Sequence, residues 1–437
     1  MILSVIICCV TCAAMILSIL FFPKIRIGKI SIDTYWIITL AGAVILLACG
    51  KADPVKVGQA LVSDTAINPV KILVLFLSMT VLSVFLDELG FFQYLAGIAL
   101  KKAKTGQTKL FLYLYITVSV LTVFTSNDVI ILSFTPFICY FAKNAKIDPT
   151  PYLAAEFVAA NTWSMALIIG NPTNIYLATA CGIDFIGYLK ISAVPTVASG
   201  LVAFAALYLL FRKKLKSPIE GEAEQVVIKD KLSLWVGIVH LAVCTVLLAI
   251  SSYINIEMWL VSICAVGSLF LISGIIAIAR KQKPAALLGC VKRAPYQLIP
   301  FVLSMFVLIV VLNEQGVTAA IGELLGENLP ILKYGTASFF ASNLINNIPM
   351  SVLFSSIIDS TGGAAGLPAV FATVIGSNIG ALFTPIGALA GIMWSNILNK
   401  HGVKFGYLDF LKIGAAVALP TLATALGSLW LMMTVIA

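Results

Sequence analysis

Residues 376–394 read GSNIGALFTPIGALAGIMW, a stretch apolar enough for a membrane but too irregular for a plain spanning helix. Gly376, Gly380, Gly387 and Gly391 loosen it. Pro385 removes a backbone donor, and its ring collides with the carbonyl one turn back. In hydrocarbon, freed N–H and C=O groups survive only where protein or a wet cavity covers them. The stretch is therefore expected to form two half-helices meeting at an unwound segment near the bilayer midplane, as in the binding sites of secondary transporters. The alternative is a Pro-kinked spanning helix without a ligand.

Composition agrees with a membrane location. Of 437 residues, 60% are hydrophobic and 11% charged, where soluble domains carry about a quarter charged residues. The net charge of +9 does not point to nucleic acid, because Lys and Arg sit between apolar runs, as the positive-inside rule requires. Most of the nine cysteines lie inside apolar runs and read as small buried hydrophobes. With His240 and His401 the only histidines, no metal site and no cofactor are expected. HExxH, the Walker loop and GxSxG are all absent, so the chain is not expected to be an enzyme.

Residues 2–22 are apolar and are followed by Lys24, Arg26 and Lys29, the reverse of a signal peptide's polarity. They read as a first span with the N-terminus outside. Further spans are expected at about 35–49, 70–90, 151–180, 188–211, 233–253, 257–279, 298–314, 366–399 and 406–436. Two apolar pairs, 108–142 and 334–358, break at polar centres and read as re-entrant hairpins. Under this topology only Lys51, Lys56, Lys71, Lys190 and Lys333 fall outside, and every other Lys and Arg is cytoplasmic.

The chain also repeats itself. Leu77-Ser-Met79 and Asp87-Glu-Leu-Gly90 are matched by Leu303-Ser-Met305 and Asn313-Glu-Gln-Gly316, both 226 residues further on. We therefore expect an all-α polytopic membrane protein of two inverted-topology repeats, 1–212 and 233–437, each of five spans plus a hairpin. The polar linker 213–232, with Ser217, Pro218, Glu220, Gly221 and Glu222, joins them. Inverted halves give one molecule two related shapes, the basis of alternating access. Phe91–Lys102 and Val317–Leu325 read as interfacial helices.

Four polar clusters fall in matching places of the halves. The first hairpin breaks at Thr125-Ser126-Asn127-Asp128 and the broken span after it at Gly170-Asn171-Pro172-Thr173-Asn174. The second hairpin breaks at Ser342-Asn343 and Asn346-Asn347, and its broken span carries Ser377, Asn378 and Thr384. Such side chains either cap exposed half-helix ends or offer donors and acceptors to a small polar solute. A solute site is expected from Ser126, Asn127, Asn171, Thr173, Asn174, Asn343, Asn346, Asn347, Asn378 and Thr384. Asp128, a carboxylate at mid-depth, is expected to take up a proton or pair with a cation, unless it merely caps its helix. Glu156, in a later apolar run, ranks behind it. Asp87, Glu88 and Glu314 sit near span ends and read as solvated charge.

The pattern Asn127-Asp128 with Thr135-Pro136, Asn346-Asn347-Ile-Pro349, then Gly376-xxx-Gly380-xxx-Thr384-Pro385-Ile-Gly387 through Trp394 resembles the bacterial arsenite-efflux permeases. These belong to the wider ion-transporter superfamily, with dicarboxylate and citrate carriers and some sodium/proton antiporters. The resemblance covers nearly the whole chain. It implies an elevator-like carrier in the cell inner membrane that exports arsenite or antimonite, a small inorganic oxyanion or hydroxide, in exchange for protons. It also implies, in some members, a soluble ATPase partner, and it places site residues on Asn127, Asp128, Asn174, Asn346, Asn347, Asn378 and Thr384. Where dicarboxylate carriers have Ser-Asn-Thr at both tips, this chain has Ser126-Asn127-Asp128 and Ser342-Asn343-Leu344; a carboxylate there should repel dianions. The alternatives are a sodium- or proton-coupled carrier of a small carboxylate, a sodium/proton antiporter in which Asp128 carries the ion, and a non-transporting scaffold. A homodimer in the lipid bilayer is compatible with each.

Overall fold

A computed structural model describes residues 2–22, 24–27, 30–62, 68–103, 106–216, 227–361 and 366–436. Lys29, Lys104 and half of the expected linker, residues 217–226 with Ser217, Pro218, Glu220, Gly221 and Glu222, lie outside them. The described residues form twenty α-helices and one β-hairpin. Before the linker come α1 (Ile2–Phe21), β1 (Lys24–Ile27), β2 (Ile30–Asp33), α2 (Thr34–Ala48), α3 (Pro54–Val62), α4 (Pro69–Glu88) and α5 (Phe91–Ala103). These are followed by α6 (Gln107–Phe124), α7 (Asn127–Asn144), α8 (Thr150–Trp163), α9 (Pro172–Ala180) and α10 (Phe185–Phe211). After the linker come α11 (Lys231–Ile250), α12 (Met258–Ala279), α13 (Ala285–Arg293), α14 (Leu298–Glu314) and α15 (Val317–Leu325). The chain ends with α16 (Pro330–Ile345), α17 (Asn347–Ser360), α18 (Gly366–Gly380), α19 (Leu389–Lys400) and α20 (Tyr407–Ile436).

The all-α, polytopic class holds. Among the described residues eight helices are long and apolar enough to cross a bilayer, against the ten expected spans. The expected span 35–49 is α2, only 15 residues long. The segments 151–180 and 366–399 are each interrupted, as α8–α9 and α18–α19. Conversely α6, expected as a hairpin arm, has the length and hydropathy of a span. The β1–β2 hairpin was not anticipated; Lys24 pairs in register with Asp33. Nor were the short helices α3 and α13, whose apolar residues are too few for a span.

Asp87 corrects the reading of span-end acids as solvated. It is buried, and its carboxylate holds Arg293 of α13 at 2.6 Å, while Glu88 takes the other guanidinium branch at 2.8 Å. A buried carboxylate needs a partner of this kind.

Helix contacts cross between the two series. α7 packs on α19 and α17 on α9; likewise α2 packs on α14 and α12 on α4. Within the second series, α16 packs tightly on α18. A Cβ added to Gly376 would collide with Ser338 Oγ, the Gly335 carbonyl and the Phe339 amide, and one on Gly380 with Ser342 Oγ. Small residues there let two backbones touch, which is how helices associate without a hydrophobic drive between them. On the outside of the bundle, Val239, Val246, Leu271 and Ile278 remain exposed on α11 and α12, a surface suited to lipid.

Gly376→Val should therefore wedge α16 from α18 and cost about 3 kcal/mol, the upper part of the range for overpacking. Thermal unfolding of the purified protein in detergent checks this; a melting temperature equal to wild type would refute the close crossing.

Candidate functional site

The first hairpin turns at Thr125-Ser126, both extended, between α6 and α7. Asn127 opens α7 and donates through Nδ2 to Asn161 Oδ1 of α8 at 3.1 Å. Its own Oδ1 accepts the Asp128 amide at 2.9 Å. Beyond α8 the chain passes through two 3-10 turns, Ser164–Ala166 and Ile168–Gly170, before Asn171 starts α9. Asn171 caps that half-helix by accepting the Thr173 amide at 3.2 Å, with Pro172 at the first helical position.

Asn378, in the last turn of α18, is the hub. Its Oδ1 accepts from Ser164 Oγ at 3.0 Å and from Asn171 Nδ2 at 2.9 Å. Its Nδ2 donates to Asn174 Oδ1 at 2.7 Å and to the Val374 carbonyl at 2.9 Å. Asn174 in turn donates to the Ser164 and Leu167 carbonyls, at 2.8 and 3.2 Å, closing the unwound stretch. Through Ser164 Oγ, which lies 2.9 Å from the Asn161 carbonyl, the network reaches Asn127. Amides from both series thus meet in one buried cluster.

A second cluster ties the other hairpin tip to the break after α18. Thr384 donates to Asn343 Oδ1 at 2.6 Å, and Asn343 Nδ2 donates to the Gly380 carbonyl at 3.0 Å. Asn346 Nδ2 reaches the Ile386 carbonyl at 3.0 Å, and the Asn347 amide reaches the Gly387 carbonyl at 3.0 Å. Asn346 is held at φ 72°, ψ 153°, a region that only glycine enters without strain. Its Oδ1 caps α17 at the Ile348 amide, 3.4 Å away.

The ten expected residues therefore fall into two groups. Asn127, Asn171, Thr173, Asn174 and Asn378 share the first network, while Asn343, Asn346, Asn347 and Thr384 gather at the second tip. The tenth, Ser126, lies beside Asn127 with its hydroxyl unpartnered. Capping accounts for part of Asn171 and Asn346. Most of these side chains are buried, and their hydrogen bonds run to one another and to backbone carbonyls of the breaks rather than into an open cavity. What opens instead is a cleft of about 260 Å³ whose lining includes Asp128, Lys24, Tyr35, Arg293, Asn396 and Lys400. Asp128 is half-buried and makes no ion pair among the described residues. Lys24 pairs with Asp33 at 3.7 Å, and Arg293 is already engaged with Asp87 and Glu88.

Sequence reasoning missed Asn161, Thr162 and Ser164. Asn161-Thr162 precedes its break much as Ser377-Asn378 precedes the other, and that correspondence was the available signal. The hydroxyls of Thr162 and Ser377 are buried without partners, like that of Ser126. Trp394, read only as part of a motif, sends its indole Nε1 to Glu156 Oε2 at 3.3 Å.

Residues 27–376 match the family described as citrate transporter, CitMHS. The chain is 28% identical over 379 residues to the arsenical pump membrane protein of Escherichia coli (strain K12), covering 81% of this chain and 84% of that protein. It is 27% identical over 427 residues to another Escherichia coli arsenical pump membrane protein, covering 92% and 94%. A putative arsenical pump membrane protein of Bacillus subtilis (strain 168) is 24% identical, covering 85% and 88%. Among solved structures, the Alcanivorax borkumensis YdaH transporter, described as having an unusual topology, superposes with a TM-score of 0.56. It is 13% identical, with coverage of 99% of this chain and 98% of that one.

Two substitutions probe the site's stability. Asn378→Ala leaves buried donors and acceptors of Ser164, Asn171 and Asn174 unmatched, at about 1–3 kcal/mol for each group orphaned. Asn346→Gly should be more stable than Asn346→Ala by about 1 kcal/mol or more, because only glycine relaxes at that φ. Unfolding temperatures of the three variants, ranked against wild type, test both; alanine equal to glycine at 346 rules out backbone strain.

Proposed function

The chain belongs to the citrate-transporter family and so is a membrane transporter, not an enzyme; from that premise we propose that it exports arsenite and antimonite in exchange for protons. The observation that carries this reading is the chemistry of the network. It is built of neutral amides and hydroxyls, and among the described residues no Lys, Arg or His hydrogen-bonds to it. A citrate-like polyanion needs cationic partners to offset its desolvation. A small neutral trihydroxide needs only donors and acceptors, and its hydroxyls can replace amide–amide bonds in a nearly even exchange. The unpartnered hydroxyls of Ser126, Thr162 and Ser377 are further ligands of the same kind. Relatives named arsenical pump membrane proteins support the same substrate class.

In this reading the two series of ten helices are inverted repeats, 1–212 and 233–437. They move as the hairpin-and-broken-helix body slides past the rest. The Lys- and Arg-rich loops are assigned to the cytoplasm by the positive-inside rule, with both termini outside, and the ion pairs support the grouping of the loops into two sides. Lys71–Glu257 at 2.6 Å and Lys56–Glu314 at 3.0 Å join loops assigned to one side. Lys214–Asp148 at 2.6 Å and Arg280–Asp230 at 3.0 Å join loops assigned to the other. Asp128 stands at the inner wall of the cleft and is the residue proposed to take up the exchanged proton.

A second reading, a proton- or sodium-coupled carrier of a small carboxylate, is favoured by the family's description and by Lys24, Arg293 and Lys400 in the cleft. Inside-out vesicles separate the two. We expect arsenite to accumulate under an inward-acid pH gradient while citrate does not; the opposite pattern overturns the arsenite reading. Asp128→Asn should abolish the response of uptake to the imposed gradient. If uptake by this variant still follows the gradient, Asp128 is not the proton carrier.

A further inference from the structure

Glu156 belongs neither to the amide network nor to the cleft lining, and its surroundings are specific. It sits on α8 with no exposure to solvent, and among the described residues it makes no ion pair. One carboxyl oxygen, Oε1, lies 2.8 Å from Thr135 Oγ1 on α7; the other, Oε2, accepts the indole N–H of Trp394 on α19 at 3.3 Å. The group therefore joins the first hairpin, the first broken helix and the second series' broken helix. Phe157 and Phe410 pack on Trp394, with ring centres 5.2 and 5.7 Å away.

Counting protons at Thr135 is informative. Its Oγ1 also lies 2.6 Å from the Ile131 carbonyl oxygen. A carbonyl oxygen has no proton to give, and a threonine hydroxyl has only one. If that proton goes to Ile131, the 2.8 Å contact with Glu156 needs a second one, which can come only from the carboxyl group. Both contacts are satisfied at once when Glu156 is the neutral acid, donating to Thr135 while Thr135 donates to Ile131. With an ionised carboxylate, three oxygens would share one proton in an apolar interior, an arrangement left partly unsatisfied.

Neighbouring groups do not supply a compensating charge. Of the titratable groups on the surrounding helices, the Cys139 thiol of α7 faces Glu156. Tyr115 of α6 spends its hydroxyl on the Gly200 carbonyl at 2.6 Å, Tyr188 of α10 packs on Phe371, and α18 carries no titratable residue. Lys109, Lys143, Lys190 and Lys400, with Tyr140 and Tyr208, are exposed. Asp128 is half-buried and lines the cleft instead. That cleft nevertheless runs close by: Leu132 and Met393, which line it, precede Thr135 and Trp394 by three residues and one residue.

We propose that Glu156 is a second proton-binding site of the carrier, loaded in this conformation and emptied when α19 parts from α7 and α8. On release, the Thr135 hydroxyl must choose between Ile131 and the carboxylate, and the joint between the halves loosens. The proton travels between Glu156 and water in the cleft, and the hydrogen bonds of Thr135 and Trp394 to the carboxyl group rearrange with it. The inference rests on the chain being a carrier but not on which solute it carries.

Infrared difference spectroscopy on the full-length protein in lipid vesicles reads the proposal directly. At neutral pH the wild-type minus Glu156→Gln spectrum should contain the C=O stretch of a carboxylic acid. Thr135→Val should shift that band, and Asp128→Asn should leave it in place. Glutamine also mimics the loaded state, since its amide can donate to Thr135 and accept from Trp394. Its transport under a pH gradient should therefore fall about tenfold or more, the size of a typical coupling between two sites. A carboxylate stretch in place of the acid band at neutral pH overturns the proposal. Should the glutamine variant not fold, an acid band that Thr135→Val does not move overturns it as well. Failure of arsenite to accumulate would leave the spectral test untouched, so the two readings fail separately.

Discussion

Every break in a helix at membrane depth exposes backbone groups that lipid cannot satisfy, and this constraint governs the middle of the molecule. Four breaks are needed to bring two hairpin tips and two unwound segments together. Their freed groups are met by side chains of the same segment and of the segment opposite. Asn174 holds the Ser164 and Leu167 carbonyls, Asn346 the Ile386 carbonyl, and Asn343 the Gly380 carbonyl. The Asn347 amide finds the Gly387 carbonyl across the gap. The breaks persist because they complete one another.

The same bonds underlie the solute site proposed above. Amide–amide bonds are replaced by amide–hydroxyl bonds at little cost, whereas a salt bridge would have to be broken. The polar core is accordingly neutral, and the ion pairs of the described chain sit at loops and helix ends. Two carboxyl groups depart from this. Asp128 lines the cleft, and Glu156 is sealed between α7, α8 and α19. Both residues stand where helices of different segments meet, which is why the proposed proton steps are placed on them.

Close packing makes the arrangement stiff. Gly376 and Gly380 allow α18 to touch α16, and Gly414 brings α20 onto the Leu382 carbonyl at the unwound segment. The second hairpin and its broken helix thereby behave as one piece. The tip itself is strained at Asn346, which hydrogen bonds to the opposite break hold on both sides. A tip held in that way is stable only while the break opposite it keeps its shape, which links the two structurally.

The sequence by itself determined the membrane class, the four breaks and the residue types at them, because Pro, Gly and buried Asn have local costs that can be read one segment at a time. The helices α5 and α15 and the tips at Ser126 and Asn346 fall where periodicity and polar interruptions put them. It did not give the pairing of Asn127 with Asn161, of Asn378 with Asn171 and Asn174, or of Glu156 with Trp394, which lie 34 to 238 residues apart. Nor did it show Asp87 buried against Arg293 or the β1–β2 hairpin. Those outcomes were decided by tertiary packing, since a buried polar atom takes whichever partner the crossing helices bring within about 3 Å, and chain order does not record which helices cross.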